Sequence, residues 1–362
     1  MIILSQSALP VNGTAQIELS PSLTTLSSNS GTDNQYTNGL YKLNGKAFYD
    51  WNNNKILVQG ECSKSGVQDS KADCMLGEAY GELGLSDSLT LKAGKSSFDV
   101  SSNPILTSPM NPSTSGLTSL SPFIPQEGIW SASLNLFPDQ IWSFQLGSAT
   151  DFIKAYPFAV VKSHLGKFDF AALGTETMLG ASGSVQLTDS VLVYSEGNTM
   201  RDFLTGFQYT FNLIGKESTR FSCEYFYNFN GVGNANSDDR FSYISDYQSV
   251  KHEEQYQFPT PKSMDTSPWG PMSFMSQDLL LFDIRNTTGQ LVPSFTNIIS
   301  LNDYSWMSIS GLEYHFNNLK SKLSTLNFRL EWRHFQGIPG LQEFGEVSKV
   351  VGSNQLWLSV QI

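Results

Sequence analysis

At 362 residues, with 15 % charged and 40 % hydrophobic side chains, the chain could form two soluble domains or one large all-β unit. Abundant Gly (29), Phe (24) and Tyr (14) favour strands and turns over helices. A net charge of −11 with no Lys/Arg cluster excludes a nucleic-acid surface, and no apolar run approaches the roughly 18 residues of a membrane-spanning helix.

The chain opens on Met1-Ile2-Ile3-Leu4, too short for a complete secretory signal, so residues 1–13 read either as the remnant of one or as a plain start. From residue 14 to 362 one unit is expected, built of segments of about ten residues in which apolar and polar side chains alternate. Early in the chain Lys42, Lys46, Glu78, Glu82 and Lys92 take the polar parity. Cys62 and Cys74 flank a short polar stretch and could close a disulfide in an oxidising compartment, yet simple alternation puts them on opposite faces, which leaves the pairing open. With Cys223 they form no zinc-type pattern.

Further along, Trp130, Ala132, Leu134 and Leu136 oppose Ser131, Ser133 and Asn135, and Leu179, Ala181, Gly183 and Val185 oppose Gly180, Ser182 and Ser184. In STRFSCEYFYNF, Phe221, Cys223, Tyr225, Tyr227 and Phe229 oppose Arg220, Ser222, Glu224 and Asn228. Alternation blurs at 188–197 and at 273–301, where Pro293 interrupts it. It returns in STLNFRLEWRH, with Leu326, Phe328, Leu330 and Trp332 against Asn327, Arg329, Glu331 and Arg333. The last strand alternates Leu356, Leu358, Val360 and Ile362 with Trp357, Ser359 and Gln361, a pattern that outer-membrane assembly machinery reads, although an aromatic last residue is usual there.

Alternation alone fits a soluble sandwich equally well. The connections decide. Every second one is short (51–54, 85–87, 137–139, 164–166, 187–189, 213–218, 285–289 and 316–321), whereas the others include 22–39, 97–127, 230–272 and 336–353. Ten of the fifteen prolines lie in those long segments. Short turns at one end and long loops at the other predict an antiparallel up-and-down transmembrane β-barrel of about 16–18 strands, with turns in the periplasm and loops outside. Tyr49, Trp51, Trp130 and Trp142 suit its interfacial girdles.

Several stretches resemble a broad family of Gram-negative outer-membrane porins that includes alginate-export-type barrels. These are GEAYGELGLSDSLTLKAGKSS (77–97), VLVYSEGN (191–198), GFQYTF (206–211), CEYFYN (223–228) and LEWRHFQGIPGLQEFGE (330–346), together about a third of the chain. The sequence departs from the family after Lys95, reading SSFDVSSNPILTSPMNP where a Trp-Gly pair and an acidic loop would stand. The resemblance implies a bacterial outer-membrane location, lipids and the barrel-assembly machinery as partners, and passive passage of small polar solutes.

For such a channel the lumen-facing candidates are Lys42, Lys46, Glu78, Glu82, Lys92, Arg220, Glu224, Arg329, Glu331 and Arg333, with residues 97–127 as an inward constriction carrying Asp99, Gln126 and Glu127. The alternative is an adhesin or receptor with a closed lumen, displaying loop 230–272 with its Tyr256, Phe258 and Trp269. GNANSDD (233–239) and His252-Glu253-Glu254 match no metal-loop spacing, and no cofactor is expected. His164, His252, His315 and His334 accompany no nucleophile motif, and Glu78 and Glu82 lie about 13 Å apart along one strand, so an enzyme is not expected.

Overall fold

The structure, a computed structural model, describes residues 2–5, 13–29, 35–65, 73–96, 100, 128–150, 155–176, 178–199, 202–214, 217–229, 277–316, 326–337 and 354–361. Among these there are nineteen strands and no helix. In chain order they are β1 (Ile2–Ser5), β2 (Gly13–Asn29), β3 (Gln35–Trp51), β4 (Asn54–Ser65), β5 (Asp73–Ser86) and β6 (Leu89–Ser96). Then come β7 (Ile129–Leu136), β8 (Trp142–Thr150), β9 (Ala155–Leu165), β10 (Phe168–Thr175), β11 (Leu179–Thr188), β12 (Val191–Asn198) and β13 (Phe203–Ile214). The last six are β14 (Glu217–Tyr227), β15 (Asp278–Asn286), β16 (Leu291–Ser300), β17 (Trp306–Phe316), β18 (Leu326–Gln336) and β19 (Asn354–Gln361).

From β2 onward each strand pairs antiparallel with the next, and β19 pairs back onto β2, so eighteen strands close a ring. Closure leaves no free edge, which is what a sheet needs where no water can satisfy its backbone. The short β1 pairs with Gln16–Leu19 of β2 and continues the line of β19, which pairs with Ser22–Asn29. Ile2–Ser5 thus lie on the same side of β2 as β19.

Parity along each strand separates two faces. Leu146 (61 % exposed), Phe168 (59 %), Ile56, Val58, Phe207, Phe295, Leu330, Trp332 and Leu358 present large apolar side chains outward all around the ring. A water-soluble protein does not carry an apolar surface of this extent; hydrocarbon is the solvent it suits. Outward rings stack near the turn end, Tyr49 on Trp51 (5.0 Å), Trp142 on Phe144 (6.3 Å) and Tyr209 on Phe211 (5.4 Å), and His334 lies beside Trp306 (5.0 Å) and Trp332 (5.7 Å) near the loop end. Amphipathic rings at both ends are the membrane–water girdles of a barrel.

Local chemistry makes the short turns. Between β3 and β4, Asn52 takes φ 50°, the left-handed conformation that Asn tolerates in a two-residue hairpin, and Gly166 (φ 65°) does the same between β9 and β10. Between β7 and β8, Asp139 Oδ1 accepts from the amides of Ile141 (2.8 Å) and Trp142 (2.7 Å).

Three details differ from the sequence reading. The connection expected over 22–39 shrinks to 30–34, because β2 and β3 stay paired from Gly13↔Trp51 to Asn29↔Gln35; a Ser/Thr-rich strand lacks apolar contrast but still makes a ladder. The blurred region 273–301 holds two regular strands, β15 and β16, and Pro293 fits because the ladder to β15 ends at Ser294, leaving it paired with β17 alone. Cys62 and Cys74, expected on opposite faces, share the outer face and form a disulfide. A β-bulge reconciles the two: Gln59 pairs with Glu78 and Gly60 with Leu76, so Gly77 is an extra residue that shifts the parity of everything before it.

Candidate functional site: the lumen wall

The inward face divides by height. Toward the loop end it is apolar and covered: Tyr194, Leu204, Phe226, Leu279, Leu281, Ile298, Met307, Ile309 and Phe335 form one buried cluster on β12–β18. A second, on β8–β11, contains Ala149, Tyr156, Phe158, Val160, Ala171 and Leu173 together with Met178 and Val100. Val100 follows β6 in the chain and packs against the wall two to five strands further along the ring, where the Ser182 hydroxyl donates to its carbonyl (3.3 Å). Below these clusters the wall turns polar and charged.

One charged group is built on β14–β16. Arg220 and Arg285 are direct register partners, and both lean on the buried carboxylate of Asp283, at 4.0 and 3.4 Å. Thr296 donates to the same carboxylate (2.6 Å). Two guanidinium groups share one carboxylate, and the buried Nε–H of each arginine has no hydrogen-bond partner among the described residues. Guanidinium donors are left over here.

A second group lies on β18, beside Glu313 of β17, the direct register partner of Arg329. Glu331 accepts from Arg329 (2.6 Å) and, more closely still, from Arg333, because the three residues share one face at spacings of two. Glu331 and Arg333 are buried, whereas Arg329 is 40 % exposed to the lumen. A buried ion pair of this kind is held by geometry, since removing one partner strands the other's charge.

Tyr194 of β12, itself part of the first cluster, reaches across β13 and donates a short hydrogen bond to Glu224 of β14. Only glycine permits this crossing: a Cβ on Gly206 would stand 2.7 Å from the Tyr194 ring and 2.9 Å from Glu224 Cγ. The far wall, β3–β6, alternates charge across its strands. Lys55 faces Glu82, Glu82 faces Lys92, and the Lys92 ammonium lies 4.1 Å from the centre of the Tyr80 ring. Lys46 lies two strands from Glu78, through Gln59.

The lumen candidates therefore stand as follows. Lys46, Glu78, Glu82, Lys92, Arg220, Glu224, Arg329, Glu331 and Arg333 are on the inward face, and position 42, paired with Ser22 and Ser63, has the same parity. Arg329, Glu331 and Arg333 come together, while Glu224 is packed under Tyr194 and wholly buried. Asp99, Gln126 and Glu127, and the loop 230–272 with its acidic stretches, lie outside the described residues. Sequence reasoning missed Asp283, Arg285, Lys55 and Tyr194. Parity could have found Asp283 and Arg285, but Leu279 and Leu281 on the same face mask the alternation of DLLLFDIRN.

His315 and His334 serve as polar edge residues, paired with Asn327 and Asn354 through Nδ1 (2.8 Å each). His164 contacts Asp169 near the β9–β10 turn. Among the described residues no group of His, Cys, Asp and Glu has metal-site geometry.

No protein-family model and no curated protein sequence matches the chain. Solved structures match it through fold. OccK2 (OpdF) of Pseudomonas aeruginosa superposes with a TM-score of 0.59 at 10 % identity, covering 96 % of this chain and 97 % of that one. OccK5 (OpdH) of the same organism gives 0.58 at 8 % identity with the same coverage. OpdK of that organism, solved with vanillate, gives 0.53 at 8 % identity, covering 95 % and 97 %. OccK2 is also solved in complex with glucuronate (TM-score 0.56, 9 % identity, covering 97 % and 96 %). The chain thus has, over nearly its whole length, the fold of these barrels.

Proposed function

We propose that this protein is a bacterial outer-membrane channel through which small polar solutes diffuse passively, and that small carboxylates are the solutes it favours. The observation that carries this reading is the lumen wall of β14–β18, where Arg220 and Arg285 share the carboxylate of Asp283, and Arg329 and Arg333 that of Glu331, so that four guanidinium groups line one stretch of the inward face. Fixed guanidinium groups lower the cost of an anion's partial dehydration and offer it paired N–H donors. The ligands named for two barrels of the same fold, glucuronate and vanillate, are both carboxylates. Interfacial girdles, an apolar outer face and β19 as the strand offered to the assembly machinery complete the outer-membrane assignment.

Segment 97–127 belongs to this reading as an inward constriction, supported by Val100 lying inside the ring. An adhesin with a closed lumen is the competing reading, and the two covered apolar clusters favour it. Liposome swelling separates the two. A channel of this kind admits carboxylates such as glucuronate faster than neutral sugars of equal size, and Arg220→Gln with Arg285→Gln narrows that difference. Equal rates for both classes would remove the carboxylate preference, and no swelling by folded protein would favour the closed barrel.

A further inference from the structure

A polar side chain on a wall facing hydrocarbon costs free energy unless a neighbour bonds it, because acyl chains supply neither donor nor acceptor. Outward hydroxyls of this barrel turn back onto its own backbone to meet that need. Ser148 donates to the carbonyl of Ala149, Ser195 to that of Leu204 and Thr205 to that of Tyr194, each at 3.2 Å. The Ser163 hydroxyl has no partner among the described residues, but it stands singly near the turn end, in register with Trp142 and Phe170.

One patch is built differently. Asn297 of β16 is the register partner of Ser308 of β17, and Ser310, two residues on, lies in register with Phe295 and Trp332. All three have outward parity, since Ile298, Met307 and Ile309 beside them are buried in the inner cluster, while Phe295 and Trp332 are exposed on the outer face. Among the described residues none forms a hydrogen bond with the side chain of Asn297, Ser308 or Ser310. Trp306 marks the loop-end girdle of the same strand, and Ser308 and Ser310 follow it toward the hydrocarbon by about 7 and 13 Å along β17, at about 3.3 Å per residue. Their short side chains end on the hydrocarbon side of the girdle.

A second barrel supplies what lipid lacks there. All copies face the same way across the membrane, so a two-fold axis relating two of them runs along the membrane normal and sets the patch opposite itself at one depth. The Asn297 amide carries two donors and an acceptor, and each serine hydroxyl both donates and accepts, so the patch is complementary to its own image. Exposed Phe295 and Trp332 flank it and add apolar contact around these polar groups.

We infer that the patch of Asn297, Ser308 and Ser310 is a homodimer interface, through which two copies of this chain associate side by side in the membrane. It is independent of whether the lumen conducts.

Native mass spectrometry of the full chain from a mild detergent, with photobleaching step counts in liposomes, tests it on the parent and two variants. Folding of each is checked first by the gel shift between unheated and heated samples. The parent is expected as two chains in both measurements. Asn297→Leu with Ser308→Ala, which leaves the patch apolar, lowers the association constant about tenfold or more. Leu146→Ala, on the outer face of β8 nine strands from β17 around the ring, leaves dimerisation at the parent's level. A parent found as one chain, bare or with lipid attached, or as a ring of three, overturns the inference. So does a folded double variant that dimerises as tightly as the parent. Should the double variant fail to fold, Asn297→Leu alone decides by the same criterion.

Discussion

Single residues carry unequal weight in this wall. Gly206 is the floor over which Tyr194 reaches Glu224, and Gly206→Ala puts a methyl group within 2.9 Å of both side chains. Overpacking of this kind costs about 1–3 kcal/mol, which urea unfolding in detergent, followed by the gel shift, would register as a lower midpoint. Glu331→Gln strands the buried Arg333 and is expected to cost more, about 3–5 kcal/mol, whereas Arg329→Gln, at the exposed end of the same group, changes stability little. Equal effects of the two substitutions would contradict the burial described for this group. The β18 trio was legible because the strand alternates cleanly. Asp283 and Arg285 were not, because β15 is apolar on both faces: one meets lipid and the other a buried cluster inside the ring.

Among the elements, hairpins and turns could be read from residue types alone, since Asn52 and Asp139 have the chemistry their turns require. The bulge could not. Nothing in Leu76-Gly77-Glu78 announces an extra residue, so the parity of Cys74 came out reversed until the register of β4 and β5 was known. The junction of β12, β13 and β14 at the loop end gives a pH-dependent prediction. Asp202, in the connection 199–202, accepts from the Phe229 amide (3.1 Å) and the Asn198 side chain (3.5 Å), and burial raises the pKa of its carboxyl despite these bonds. A raised folded-state value means that the charged form is penalised by folding. Stability from this site is therefore greatest below the ordinary carboxylate range and falls as pH rises through the folded value. Thermal unfolding of the parent should show a gain, as pH falls from 7 into the ordinary carboxylate range, that Asp202→Asn lacks. An unchanged gain in the variant would assign it to other groups.

For the whole molecule, the alternation of short and long connections foretold an up-and-down barrel, and the eighteen-strand ring has the turns at one end as that pattern requires. Height-dependent character inside the barrel was invisible in sequence, because a covered apolar lumen patch and a lipid-facing one have the same residue types. A closed ring of this kind resists detergent until heated, so the unheated protein should migrate apart from the boiled one. A soluble monomer obtained without detergent would be incompatible with the outward apolar surface.

The central claim is that this ring encloses a conducting path lined by clustered arginine, and the reversal potential across a planar bilayer with a potassium chloride gradient tests it most directly. Discrete current steps are predicted, with a reversal potential displaced toward the chloride equilibrium value and shifted back by Arg220→Gln with Arg285→Gln. Heat-modifiable, membrane-inserted protein that carries no current, or current reversing at the potassium value, would contradict it.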